Sequence, residues 1–435
     1  MAVDHGGHIY KIDLYFSTSK QNYSKAINSV SIQMGMGDLL SQIIINLDMS
    51  REEFDKVIQP SRDKISIAIK TVSQSDYNHN SGKILDFYKG ELVCLEEQEI
   101  DNTLEKNPKQ NNAPNRYVLY CVDKKNLYNI RTRITNQYFY HKSRQEILNS
   151  LPINLDIVSP IKKSTEEVIE QLWIPTSLAY ESVYYTLDKL ALFNKPYILF
   201  YNLFSNKLTV GDVVKQKEKP ITIKYLSSIK SIKDYEKVIS GLKTKFDFVV
   251  TSPIIFSKPI MSKVYKNSTI FHYTFQPYDT LFHKEIKTLR QEFYKNEEDI
   301  ISNLYYAKRG DTRAQIKKVH VPEYPVMKYG SFLYENANNK KRCNENYDKA
   351  YIGSMYNKTY ELKIISSWKT NIKLLTYPGR KVHFSTDQKK MGNSGYYYLY
   401  DSIISFQKNN TTMENQYVFN CIVSMTLRCG TFIPN

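Results

Sequence analysis

The chain has 435 residues, enough for roughly two to four domains. Its 41% hydrophobic and 24% charged residues fit a folded globular protein and exclude a disordered tail or a fibrous repeat, while 36 Tyr and 19 Phe against 2 Trp favour strands over an all-α enzyme. Lys and Arg number 60 against 44 Asp and Glu, a net charge of +16 that suits phosphate backbones, anionic lipid or an acidic protein partner. Lys, Asn, Ile and Tyr all have A/T-rich codons, so the basicity reads either as nucleotide composition or as a surface for a ligand.

From the N-terminus, Tyr10, Ile12, Leu14 and Phe16 alternate with polar residues, the period of two of a half-buried strand. Val30, Ile32 and Met34 predict a second. Leu39 to Leu47 reads equally as helix or buried strand, and Arg51, Glu52 and Glu53 as an acidic turn. Ile65, Ile67 and Ile69, then Leu85 to Leu95 and Tyr117 to Val122, continue the strand pattern around a polar loop from Asp101 to Asn115. From Lys142 the spacing turns helical at Ile147, Leu148 and Leu151, and the spacing of Val168, Ile169 and Leu172 predicts a second helix over Lys163 to Trp173. Thr176 is the expected N-cap of a third, with Ala179, Val183, Leu187, Leu190 and Ala191 on one face. Tyr197 to Phe204 and Leu208 to Val214 predict a hairpin.

Further on, Phe246 to Val250 and Ser268 to Phe275 are strand-like, Asp279 to Tyr306 reads as a charged helix, and Asn336 to Asn346 as a linker. The last block is β-rich: Tyr360, Leu362, Ile364; Val382, Phe384; Tyr396, Tyr398, Tyr400; and Tyr417 to Leu427, whose alternation is unbroken. The expected division is 8–140, 141–218 as a small α/β module, 219–335 as a mixed connecting region, and 336–435.

Motifs that would carry chemistry are missing from the sequence. There is no Walker loop, dinucleotide turn, nucleophile elbow or H-E-x-x-H. The five cysteines, Cys94, Cys121, Cys343, Cys421 and Cys429, are odd in number and contain no C-x-x-C pair, which argues against a disulfide scaffold or zinc ribbon and for folding in a reducing cytoplasm. No signal peptide or membrane-spanning run is read. His5 and His8 would hold a metal only if the terminus were fixed, and His272 and His283 read as packed or surface imidazoles. Glu166 with Glu167, and Glu297, Glu298 with Asp299, diverge on a helix and read as solvated faces; Cys421 reads as core. The basic run Asn339 to Arg342 with Tyr347 and Tyr351 reads as a solvated loop, and as a stacking platform in the competing view of a sequence-tolerant nucleic-acid-binding protein. No catalytic, cofactor or metal residue is assigned.

The order of segments carries a resemblance. The β-rich start, the unit from Thr176 to Val214, and the C-terminal series of Tyr360 to Ile364, Tyr377-Pro378-Gly379-Arg380-Lys381-Val382, Ser394-Gly395-Tyr396-Tyr397-Tyr398-Leu399 and Tyr417 to Arg428 resemble the baseplate hub proteins of contractile-tailed phages. These are relatives of the late control protein and of the type VI secretion spike base. Pro378 and Gly379 suit a type II turn, since Pro fixes φ and Gly supplies φ > 0. The resemblance implies a β-rich α+β, multidomain fold with two tail-tube-like β-barrel domains, near 8–140 and 336–435, and intervening α/β elements. It implies a structural, non-enzymatic homotrimer in the virion tail baseplate, assembled in the host cytoplasm. The trimer would present a nearly sixfold face to the tail tube protein and a threefold one to the central spike protein. Wedge proteins would surround it, DNA would only pass through, and there would be no membrane insertion and no cofactor. Another tail component, such as a distal tail or tube-initiator protein, would share such barrels. One expectation attaches to the charge: it serves acidic neighbours, and the channel is not lined with cations.

Overall fold

The computed structural model describes residues 8–36, 38–73, 85–100, 115–134, 136–159, 168–174, 176–189, 197–212, 216–226, 245–250, 254–257, 358–365, 372–386, 394–413 and 416–429. The loop at 101–114, the strand and helix expected between Ser268 and Tyr306, and the linker near 336–346 lie outside these residues. The protein is a β-rich α+β fold organised on a large mixed sheet.

The N-terminal strands are β1 (His8–Phe16), β2 (Ile27–Gly35), β3 (Gln42–Met49), β4 (Ile65–Ser73), β5 (Leu85–Ile100) and β6 (Asn115–Asp123). The ambiguous run at Leu39 to Leu47 is thus a strand. The acidic turn is the first turn of helix α1 (Arg51–Val57): Ser50 Oγ accepts from the Glu53 N–H at 3.2 Å, and Glu52 and Glu53 favour the positive end of the helix. Phe54 of α1 lays its ring on Tyr117, centroids 3.8 Å apart and nearly parallel.

A second group follows. Helix α2 (Lys124–Arg131) leads to β7 (Arg133–Ile134) and β8 (Gln137–Ser143), then α3 (Arg144–Ser150) and β9 (Leu155–Ile157), and β10 (Val168–Ile174) and β11 (Ser177–Leu178) precede α4 (Ala179–Lys189). β12 (Tyr197–Asn202) and β13 (Lys207–Asp212) form the expected hairpin, turning through Asn206 at φ 53°. Ser143 and Glu146 close a reciprocal capping box on α3. Ile147, Leu148, Leu151, Leu172, Ala179, Val183, Leu187, Leu208 and Val210 share a core of their own.

Two expectations fail in this group. The predicted helix over Lys163 to Trp173 is strand β10 where it is described, antiparallel to β8, with Leu172 and Ile174 buried two residues apart. β-branched Val168 and Ile169 suit a strand, and cross-strand pairing outweighs the helical spacing. Thr176 does not cap α4. Its N–H and hydroxyl both donate to Asn136 Oδ1, β11 intervenes, and the Glu181 carboxylate takes the Leu178 N–H at the helix start. Ala179, Val183 and Leu187 do form the buried face; Leu190 and Ala191 lie outside the described residues.

The remaining strands are β14 (Ile221–Tyr225), β15 (Phe248–Val250), β16 (Ile255–Ser257), β17 (Lys358–Ile365), β18 (Lys381–Thr386), β19 (Gly395–Met413) and β20 (Gln416–Cys429). All seven join β1–β6 in a 13-stranded sheet among the described residues. Within it the ladders close on themselves: β19–β2–β3–β6–β5–β4–β1–β20, with β20 pairing back to β19. Every pairing in this circuit of eight is antiparallel, as an even number permits. The two ends of the chain therefore complete one ladder.

Inside the circuit sit Ile12, Leu14, Val30, Ile32, Ile43, Ile45, Ile67, Leu119, Phe406, Phe419 and Val423, all buried in one core. Eight strands enclose a space that side chains fill. β20 shows the predicted alternation, with Phe419, Cys421, Val423, Met425 and Leu427 buried and the intervening residues exposed or half-exposed.

Candidate functional site

The long β19–β20 hairpin is the centre of the architecture. β19 pairs through Gly395–Tyr398 with β18, then through Asp401–Gln407 with β2. β20 pairs at Phe419 with β1, then through Ile422–Cys429 with β17. One hairpin thus belongs to the closed circuit at one end, and at the other to a second ladder that continues through β14 and β15 on one side and β16 on the other.

The changeover is a β-bulge between Leu399 and Asp401. A bulge inserts one unpaired residue and bends the strand. Here that residue is Tyr400, whose carbonyl accepts the Met36 N–H at 2.7 Å and whose ring lies under Arg428, 3.2 Å from guanidinium carbon to centroid. The predicted alternation of Tyr396, Tyr398 and Tyr400 is broken by it: Tyr397, Tyr398 and Leu399 are buried in succession.

The predicted turn is present beside the bulge. Gly379 has φ 84°, Arg380 N–H donates to Tyr377 O at 3.2 Å, and Gly379 N–H donates to Leu399 O. It seats against β12: a Cβ on Gly379 would stand 2.5 Å from Ile198 Cγ1. Ile198, Phe200 and Tyr398 form a small cluster there, joining the α/β group to the sheet.

The outward face of the circuit has a pattern that the sequence analysis did not single out. The register sets three rows across five strands, β6 to β3 to β2 to β19 to β20: Val118–Asn46–Ser29–Gln407–Asn420, Tyr120–Ile44–Ser31–Ser405–Ile422, and Val122–Gln42–Gln33–Ile403–Ser424. None of the fifteen is charged, in a chain with 24% charged residues. Cross-strand hydrogen bonds knit the rows: Ser31 Oγ with Ser405 Oγ at 2.9 Å, and Asn46 Nδ2 to Ser29 Oγ at 2.7 Å. The opposite side of the circuit carries Lys11, Asp13, Lys70, Lys89 and Glu91, with Lys70 and Asp13 paired at 2.6 Å. The signal was readable as Ser and Gln alternating with Val and Ile along Ser29–Gln33.

A cavity of about 650 Å³ lies where the β12–β13 turn meets the circuit, lined by Tyr15, Ser66, Phe87, Tyr88, Asp123 and Phe204. Tyr88 donates to Asp123 Oδ2 at 2.7 Å while the other carboxylate oxygen caps α2 at the Asn126 N–H. Burial, then the Asp123 charge, push the Tyr88 hydroxyl far above its ordinary value, so it keeps its proton. The pair is structural support for α2.

Of the residues weighed in the sequence, Cys421 is buried in the core, where burial raises its thiol. His5, Glu166, Glu167, His272, His283, Glu297, Glu298, Asp299 and the run Asn339 to Tyr351 lie outside the described residues, and His8 opens β1. Among the described residues no three His, Cys, Asp or Glu side chains converge, and no helix is long and apolar enough to cross a membrane.

Against solved structures, the tail protein from Neisseria meningitidis MC58 matches over 97% of this chain and 96% of its own, at 8% identity and a TM-score of 0.52. The chain has a tail-protein fold. The 43 kDa tail protein of prophage MuSo2 from Shewanella oneidensis matches over 97% and 98% of the two chains, at 9% identity and TM-score 0.49. The lidded Francisella PdpA–VgrG complex matches over 98% of this chain and 54% of its own, at 11% identity and TM-score 0.43. No protein-family model and no curated protein matches the sequence. The resemblance drawn from segment order therefore meets a structural match of nearly full length to a tail protein.

Proposed function

We propose that the chain is the structural baseplate hub of a contractile phage tail, a homotrimer that adapts the hexameric tail tube to the trimeric central spike. One observation carries the reading: a single hairpin, β19–β20, runs through two ladders, so each chain supplies two strand modules side by side. Three copies then place six modules around an axis, a ring that closes with threefold symmetry and approaches sixfold. The closed circuit is the first tube-like barrel; it takes in parts of β19 and β20 besides residues of 8–140. The second is built from β14–β18 and the remaining halves of the hairpin, so it draws on 219–335 as well as 336–435. The 141–218 group is the intervening α/β module.

The uncharged rows on β6, β3, β2, β19 and β20 are the channel wall in this reading. A passing phosphate backbone would be held by Lys or Arg there and repelled by Asp or Glu; amides and hydroxyls do neither. The charge of +16 then resides on other faces, toward acidic tube, spike or wedge neighbours. The role is structural, in the virion tail. Native mass spectrometry of the purified chain over a concentration series tests it: a trimer is expected, and a dimer, a hexamer or a monomer at every concentration contradicts it.

A further inference from the structure

Two cysteines face each other across the β5–β6 ladder. Cys94 is the register partner of Cys121, and directly opposed residues of an antiparallel pair project from the same face. The Cys94 N–H does not cross to β6; it donates to the Arg62 carbonyl on the other side, at 2.8 Å. Cys94 and Cys121 are thus a narrow, non-hydrogen-bonded pair, the kind whose Cα atoms stand about 4.5 Å apart, at the short end of what a disulfide spans. The bulge after Cys94 turns Leu95 outward to 57% exposure. It leaves Cys94 half-buried at the edge of the core, while Cys121 is buried within it.

We propose that Cys94 and Cys121 are a latent cross-link, closed into a disulfide by a low-molecular-weight disulfide such as oxidised glutathione. The Cys94 thiolate attacks one glutathione sulfur, forming a mixed disulfide and expelling a glutathione thiolate. Cys121 then gives up its proton, and its sulfur displaces the second glutathione from Cys94. One glutathione S–S bond and two protein S–H bonds become one protein S–S bond and two glutathione S–H bonds; two electrons pass to glutathione and two protons follow. The order of attack follows from the environments. The Cys94 thiol donates to the Glu96 carbonyl at 3.2 Å. The adjacent Cys121 side chain holds Cys94 below the ordinary thiol value, and Cys94, then burial, hold Cys121 well above it. Because the strands are already in register, the bridge forms without moving the ladder, and it pins β5 to β6 where β5 runs beyond its pairing with β4.

Incubation of the full-length chain with graded ratios of oxidised to reduced glutathione, blocking of free thiols and peptide mass mapping tests this. Free Cys94 and Cys121 should disappear in step, with one linked peptide pair lighter by two hydrogen atoms and no glutathione retained. Cys121→Ser should keep glutathione on Cys94, and Cys94→Ser should leave Cys121 unmodified, with circular dichroism confirming that each variant is folded. The proposal is overturned if wild-type Cys94 retains glutathione, if it bonds to Cys343 or Cys429, or if both thiols stay free at ratios that fully oxidise dithiothreitol.

Discussion

Substituting alanine at two glycines of the C-terminal block should destabilise the protein at one and not at the other. Gly379 sits at φ 84°, and an added Cβ meets Ile198 Cγ1 at 2.5 Å and Cδ1 at 3.1 Å. A left-handed conformation costs an alanine roughly 1–2 kcal/mol, and crowding a packed contact adds about 1–3 kcal/mol. Loss of glycine freedom in the unfolded chain returns about 0.4–1 kcal/mol. Gly379→Ala should therefore destabilise by roughly 1–5 kcal/mol. Gly395 opens β19 with ordinary backbone and open space around its missing Cβ, so Gly395→Ala should be neutral or stabilise by up to about 1 kcal/mol. Urea unfolding followed by circular dichroism and tryptophan fluorescence compares the two. If Gly379→Ala lies within about 0.5 kcal/mol of wild type, or the two variants shift together, the turn does not seat against β12 as described.

Phe406, fully buried with its ring 4.9 Å from Tyr10 and 5.5 Å from Phe87, should cost about 3–5 kcal/mol as Phe406→Ala in the same urea assay; a cost below about 1 kcal/mol would mean that both chain ends do not share this core. Asp38 is an exposed residue whose carboxyl is partly desolvated; that desolvation, then the neighbouring Asp401 carboxylate, hold the carboxyl above its ordinary value. A carboxyl raised in the folded chain stabilises while protonated and loses that contribution as pH rises through its folded value. Asp38→Asn should therefore raise the melting temperature at neutral pH, with no gain below the ordinary carboxylate range; an equal gain in acid would refute the assignment. Ser31→Lys combined with Ser405→Lys places two cations in the middle row of the uncharged face. The double variant should stay folded and gain DNA retention that falls steeply with salt in filter binding, relative to wild type; unchanged retention would separate that face from the DNA path.

Much of the strand content was legible because one face of each strand is buried, which writes a period of two into the sequence. β20 is the clearest case: Phe419, Cys421, Val423, Met425 and Leu427 face the core without interruption. β10 was misread because Val168, Ile169 and Leu172 also satisfy a helical spacing, and only its pairing with β8 decides. The closure between β1, β2 and the β19–β20 hairpin was not legible, since partners such as Ser31 and Ser405 lie 374 residues apart. The bulge at Tyr400 was hidden for a related reason: it exists to change ladder partners, and those partners come from distant segments. The uncharged face and the Cys94–Cys121 pair needed the register, because neither is contiguous along the chain.

Electron cryomicroscopy of the assembled oligomer tests the central claim most directly. The account predicts three copies about one axis, six strand modules approximating sixfold symmetry, and the rows containing Ser29, Ser31 and Gln33 turned toward an open lumen. A ring of six copies contributing one module each, or those rows buried between subunits, would contradict it.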